Sequence, residues 1–260
     1  MLAALLTALQ GHRCIPPPSI DRVLLYGDSL WAACGPCAQL PSSWDVTSHA
    51  KPATSVWMQV VHPYCAGWGD PSCVAGEAMM LDCVGHPESC LDNQAADDPV
   101  VLIQFGTNDF RRVPPNLPAI QQAWTSILAK IEELDLACAV IHPPPILQNK
   151  NGLTSDDFNA AMNDHWAWLE PLARSAGCAT ADVYDVFRAY QGALGQPAFL
   201  ELYHDCPMEC TDAGTPAADC IHPSWPTSPG FSGNFLLTGN QLLGLIANIT
   251  IHQAWALRAP

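Results

Sequence analysis

The sequence predicts a three-layer α/β/α sandwich built on a mainly parallel sheet. Short apolar runs stop abruptly on glycine or proline, and longer segments carry apolar residues at helical spacing. The two kinds of segment alternate along the chain, which is the pattern of a parallel sheet covered on both faces.

Val23-Leu24-Leu25-Tyr26 is a buried strand that meets a tight turn at Gly27. Ser55 to Val61 is rich in β-formers and ends before His62-Pro63, so it reads as a second strand. Val100 to Phe105 is a third, again ending on a glycine, Gly106. Cys138 to His142 is a fourth, closed by Pro143-Pro144-Pro145, and Cys178 to Val183 is a fifth. Leu117 to Leu134 places Ile120, Trp124, Ile127, Leu128 and Ile131 on one helical face. Ser155-Asp156-Asp157 suits a helix start, ahead of Phe158, Met162, Trp166 and Leu169. Thr238 to Trp255 forms a last helix.

There is no internal repeat, and the prolines at 16–18, 114–118 and 143–145 mark loops rather than linkers. Residues 22–260 therefore read as one domain, preceded by an N-terminal segment, residues 1–21. Within that segment Leu2 to Leu9 is a short apolar stretch with no basic residue before it. It is either a signal-peptide remnant or a first helix.

The chain has 260 residues, of which 49% are hydrophobic and 13% charged, enough apolar material for one sizeable core. Ten Lys and Arg against 25 Asp and Glu leave a formal charge of -15. Such a surface repels phosphate backbones and anionic membranes, and no basic run makes a local exception, so nucleic acid is not expected as a partner. No apolar stretch is long enough to span a bilayer. Twelve cysteines, an even number, point to an oxidising, extracytoplasmic setting, although spacing does not reveal their pairing. Asn248-Ile249-Thr250 is a glycosylation acceptor triplet of the kind that also arises by chance.

In open α/β sheets, ligands bind beyond the carboxyl ends of the strands. Gly27-Asp28-Ser29-Leu30 lies there. A serine hydroxyl is a weak nucleophile and needs a turn that exposes it and a base within reach. The plainer alternative is that Asp28 or Ser29 caps a following helix. Among nine histidines, His222 stands out because Asp219 precedes it by three positions. A carboxylate there can fix the imidazole tautomer and stabilise the imidazolium. Asn108, in Gly106-Thr107-Asn108-Asp109, could donate its side-chain amide to a developing oxyanion, and Gly67 or Gly69 could donate a backbone N–H.

Ser29, a glycine of the 65–70 stretch, Asn108 and His222 occur in the order of the four blocks of the SGNH/GDSL hydrolases, which the chain resembles over residues 22–255. The resemblance implies a flavodoxin-like SGNH fold and a secreted serine ester hydrolase working through an acyl-enzyme. It makes Ser29 similar to the nucleophile, His222 to the base and Asp219 to its orienting acid. Gly69 and Asn108, with the Ser29 N–H, look like the oxyanion hole. One departure is Trp68 directly before Gly69, where the family places Ser or Asn; Gly69 is preferred over Gly67 because Asp70 follows it. No cofactor and no metal are implied. The substrate class is a small-molecule or glycan ester, with a carbohydrate O-deacetylase or a lysophospholipase as alternatives on the same site. A non-catalytic carbohydrate- or lipid-binding protein is the alternative from another class, and retention of Ser29, Asn108 and His222 speaks against it.

Two motifs compete for attention. Cys34-Gly35-Pro36-Cys37 reads like a thioredoxin redox pair, but it sits just after Ser29 and outside the strand context that chemistry needs. His204, Cys206, Cys210 and Cys220 could in principle hold zinc, yet in a cysteine-rich chain they read better as a disulfide-stapled loop.

Overall fold

Val23–Tyr26, Val100–Ile103 and Ala137–Ile141 are solvent-excluded on both faces, as strands must be when helices cover both sides of a sheet. A computed structural model describes residues 20–32, 36–51, 54–60, 80–110, 115–147, 154–203, 224 and 237–258. Among these residues five strands form one parallel sheet: β1 (Arg22–Gly27), β2 (Asp45–Ser48), β3 (Val100–Gln104), β4 (Ala137–His142) and β5 (Ala179–Asp182). Their order is β2-β1-β3-β4-β5. Helices lie on both sides, so the expected three-layer α/β/α architecture holds.

The described helices are α1 (Ser29–Ala32), α2 (Leu91–Gln94), α3 (Leu117–Glu133), α4 (Ser155–Ser175), α5 (Val183–Leu194), α6 (Gln196–Leu200) and α7 (Gly239–Arg258). α3, α4 and α5 start on side-chain caps that accept otherwise orphaned N–H groups of the first turn. Asn116 accepts from Ala119 N at 3.3 Å, Thr154 from Asp157 N at 3.1 Å and Asp182 from Asp185 N at 3.1 Å. α3 buries the apolar face read from its periodicity, Ile120, Trp124, Ile127, Leu128 and Ile131.

The second strand is a correction. Within the expected Ser55 to Val61 strand, Val56–Gln59 makes a 3-10 turn between extended Ser55 and Val60, and the strand beside β1 is Asp45–Ser48. Its residues are exposed or only partly buried, so it carries none of the apolar signal that marks a central strand. Val56, Met58 and Gln59 are buried for another reason: they sit beneath the carboxyl end of the sheet, where the Val56 N–H is bonded by Asp109.

Beyond β4 the chain does not turn away. Residues 143–146 are buried and clamped. Tyr203 Oη donates to the Pro145 carbonyl at 2.5 Å, and Asn159 of α4 grips Ile146 from both sides, donating to its carbonyl at 2.7 Å and accepting its N–H at 2.8 Å. At the opposite end of the sheet, Asp97, Asp98 and Asp135 adopt positive φ (67°, 53° and 50°) in the loops that enter β3 and β4. Arg258, the last residue of α7, bonds both Asp98 and Asp135. Arg22 ties Gln94 and Ala96 to the amino end of β1, away from the carboxyl ends of the strands.

All five described cysteines are in disulfides: Cys83–Cys90, Cys138–Cys178, and Cys37 with a residue outside the described set. Pro36–Gln39, which includes the second half of the redox-like motif, is a 3-10 turn against α7, where Asn248 Nδ2 donates to the Gln39 carbonyl at 3.4 Å. The acceptor triplet at Asn248 is therefore inside a helix, with Thr250 buried and bonded to the Ile246 carbonyl, rather than in the surface loop such a site needs. No described helix is long and apolar enough to cross a membrane. Residues 1–19, including the Leu2–Leu9 stretch, lie outside the described residues.

The Cys138–Cys178 bridge closes 40 residues that comprise β4, α4 and the approach to β5. Chain entropy over a loop of that length corresponds to about 4 kcal/mol. The double variant Cys138→Ala, Cys178→Ala is expected to lose roughly that much unfolding free energy in urea titrations without reductant. A loss below about 1 kcal/mol would show that the bridge does not constrain the unfolded chain.

Candidate active site

The sheet order reverses between β1 and β3, with β2 on one side and β3 to β5 on the other. A crevice forms at the carboxyl ends of the strands at such a switch point. Ser29 follows β1 and Asn108 follows β3, on the two sides of that crevice.

At the end of β1 the chain turns in very little space. A Cβ on Gly27 would stand 3.1 Å from the Gln104 carbonyl oxygen and 3.1 Å from Trp31 Cδ1, so a side chain there would force neighbouring β3 aside. Asp28 is fully buried and caps the turn: its Oδ1 accepts from Leu30 N at 3.0 Å and its carbonyl from Trp31 N at 3.2 Å. The capping role considered for this pair thus belongs to Asp28. Ser29, between two buried neighbours, is partly exposed, as an attacking hydroxyl must be.

At the end of β3, Gly106 has φ 136°, and a Cβ on it would lie 3.0 Å from Pro143 Cγ. That backbone conformation is open to glycine and strained for other residues. The turn it permits buries Thr107, Asn108 and Asp109. Asn108 Nδ2 donates to the Thr54 carbonyl at 2.9 Å. Of the two hydrogens on that amide nitrogen, one is fixed by this bond, which orients the other.

Thr54 joins the two turns. While its carbonyl receives Asn108, its single hydroxyl hydrogen is shared between the Lys51 carbonyl at 2.8 Å and the Gly27 carbonyl at 3.2 Å. Asp109 makes a parallel link, its Oδ1 accepting from Val56 N at 3.0 Å. Burial pushes the Asp109 carboxyl up to about 8; the backbone N–H groups of Val56, Asp109 and Gly106 oppose this, and the charge of Asp28 adds to it. Thr54 and the electrostatic part of Asp109 were missed from sequence. Nothing local marks a threonine in a loop as the tie between two strand ends 27 and 54 residues away.

A second histidine–aspartate pair also lies at this edge. His142, the last residue of β4, holds Asp182 of β5 at 2.9 Å through Nδ1. Burial works to raise the Asp182 carboxyl, but the hydrogen bond and charge of His142 outweigh it and hold the group below its usual range. The imidazole is stacked on Trp166 at 4.9 Å and 8° and is itself buried. β4 stands two strand spacings from β1, roughly 10 Å, and the ring faces α4, so this pair does not reach Ser29. Neighbouring His165 packs between Phe110 and Trp168, at 5.3 Å from each ring. Burial, with the charge of His142 in support, holds it down to about 4.

Gly67, Gly69, Asp219 and His222 lie outside the described residues, as do Cys34 and the His204, Cys206, Cys210, Cys220 set. Among the described residues, Cys83, Cys90 and Asp92 bring metal-ligand types together, but both sulfurs are consumed in the Cys83–Cys90 disulfide.

The GDSL-like lipase/acylhydrolase family model matches residues 25–224, most of the chain. Ordered serine and asparagine turns on this sheet define the class, and the protein belongs to that family of ester-bond hydrolases. Solved structures agree on the fold. A Slackia heliotrinireducens protein assigned to the SGNH hydrolases is 21% identical, with 90% of this chain and 100% of that chain covered and a TM-score of 0.52. A GDSL-like lipase from Bacteroides thetaiotaomicron is 11% identical, covering 97% of each chain at 0.54. A catalytic mutant of an acetylxylan esterase from Geobacillus stearothermophilus is 16% identical, covering 90% of this chain and 94% of that one at 0.56. No curated protein matches the chain.

His165 sets a pH limit on stability. Its folded value of about 4 lies below the ordinary 6.5, so between those values the unfolded chain binds more protons than the folded one. The contribution is fully present above about pH 6.5 and is lost as pH falls through about 4. Urea unfolding across this window should show roughly 3 kcal/mol of loss that His165→Phe removes. An unchanged slope in that variant would assign the acid loss to other groups.

Proposed function

We propose that the chain is a secreted serine esterase, with residues 22–260 as its catalytic domain and Ser29 as nucleophile. The observation that carries this reading is the arrangement at the switch point: a partly exposed Ser29 just beyond β1 and, beyond the neighbouring β3, an Asn108 amide bonded to the Thr54 carbonyl. In this mechanism His222 takes the Ser29 proton as Ser29 attacks the ester carbonyl, and Asp219 orients the imidazole. The Asn108 amide, the Ser29 N–H and the Gly69 N–H receive the oxyanion. His222 then returns the proton to the leaving alcohol, and water, deprotonated by the same histidine, cleaves the acyl-enzyme.

Secretion is supported by the engagement of all five described cysteines in disulfides, a state that cytosolic thiol pools do not maintain. For the substrate we favour O-acyl esters of carbohydrates, with the acetylxylan esterase among the structural relatives as support. The acidic chain, at -15, suits a neutral glycan better than a phosphorylated or anionic one.

Ser29→Ala should lower hydrolysis of p-nitrophenyl acetate and of acetylated xylo-oligosaccharides by about ten-thousandfold, and His222→Ala by a similar factor. Asn108→Ala should cost about a hundredfold to a thousandfold in kcat. By contrast His142→Ala should lower thermal stability while keeping kcat within about tenfold. If the His142 variant were dead and the His222 variant active, the base would be assigned wrongly. A serine-directed phosphonate should label Ser29 and no other residue.

A further inference from the structure

Asp109 has no part in the triad or the oxyanion hole, yet it is buried at the base of both turns. Its Oδ1 accepts the Val56 N–H at 3.0 Å, and its Oδ2 has no hydrogen-bond partner among the described residues. One residue earlier in the chain, Asn108 holds the Thr54 carbonyl. The 54–56 segment is thus gripped at two points by consecutive residues of one turn, and through the Thr54 hydroxyl it supports the Gly27 carbonyl under Ser29. Beside Asp109 stands Asp28, fully buried, which caps the turn that carries Ser29. Asp28 and Asp109 are thus two buried carboxyl groups, at the ends of β1 and β3, whose charges act on each other, and like charges repel strongly when buried.

We propose that Asp109 is a positioning residue that works as an uncharged carboxylic acid, and that its loss of a proton to solvent switches the oxyanion site off at alkaline pH. The proposal rests on the reading of Ser29 as nucleophile. Ionised, Asp109 would hold a second negative charge near Asp28 in a buried site, opposed only by the backbone N–H groups of Val56 and of its own turn, with no hydrogen bond to Oδ2 among the described residues. The turn would then have to open toward water, and Asn108, the adjacent residue, would move with it. The burial and the Asp28 charge that push the group up to about 8 put this transition within the working range of an esterase. Among the described residues, Asp28 is the charge that acts on it from the β1 turn; residues 54–60 carry no titratable side chain; and His165, which reaches the turn through Phe110 from α4, is held down to about 4.

The test is the pH dependence of the Ser29-dependent rate, obtained by subtracting the Ser29→Ala rate at each pH. In the native enzyme kcat should fall along an alkaline limb centred near 8. Asp109→Asn, neutral at every pH and able to accept the Val56 bond, should keep kcat at pH 7 within about tenfold and lose that limb. Asp109→Ala should lose about a hundredfold at every pH, so that only the amide rescues. The same limb in Asp109→Asn, or a native rate that stays flat through about pH 10, would overturn the proposal. Should Asp109→Asn fail to fold, infrared difference spectra of the native protein decide the matter: a buried protonated carboxyl band must disappear across the limb, and its absence refutes the proposal. Activity that survives Ser29→Ala would instead refute the esterase reading, whatever the limb does.

Discussion

The hydrogen bond from Asn108 to the Thr54 carbonyl joins two strand ends that the sheet alone would leave independent. A parallel sheet fixes where β1 and β3 stop, but it says nothing about the angle at which the chain leaves each of them. Thr54 supplies that information. It takes the Asn108 amide on one side and supports the Gly27 carbonyl on the other, so the turn after β1 and the turn after β3 share one reference point. Gly27 and Gly106 make this possible by letting their turns approach Gln104 and Pro143 more closely than a side chain would allow.

Much of this was legible in the sequence, for identifiable reasons. β1, β3 and β4 are buried on both faces, so their apolar runs are continuous and unmistakable. α3 and α4 show their periods because each buries one face. β2 was invisible because an edge strand with exposed ends has no apolar signature, and its role was taken in the reading by the 55–61 stretch. That stretch is apolar because it fills space under the site, and burial of that kind has no period to read. The buried turn at Asn108 was legible because its motif is local. Thr54, Asp182 and the buried character of Asp109 were not, since each acts through a partner distant in the chain.

The carboxyl edge of the sheet also shows how similar chemistry is separated by packing. His142–Asp182 has the residues of a catalytic dyad, yet Trp166 covers the ring, and Asp182 is occupied in starting α5. The pair pins β4 to β5 just before the buried 143–146 strap, which Tyr203 and Asn159 hold in turn. Pro143 then packs on Gly106. A histidine remote from the reacting atoms thereby helps to seat the turn that carries Asn108.

Arg258 closes the opposite edge. By bonding Asp98 and Asp135 it ties the chain's last helix to the two loops that feed β3 and β4, each passing through left-handed aspartates. The edge that carries Ser29 and the edge that Arg258 closes are separated by the length of the strands and share no described hydrogen bond. Mutational drift at one edge is thereby insulated from the other. Loops at the amino edge can be exchanged, shortened or given glycine at the left-handed positions to tune robustness, while selection for new ester substrates acts on the carboxyl edge alone.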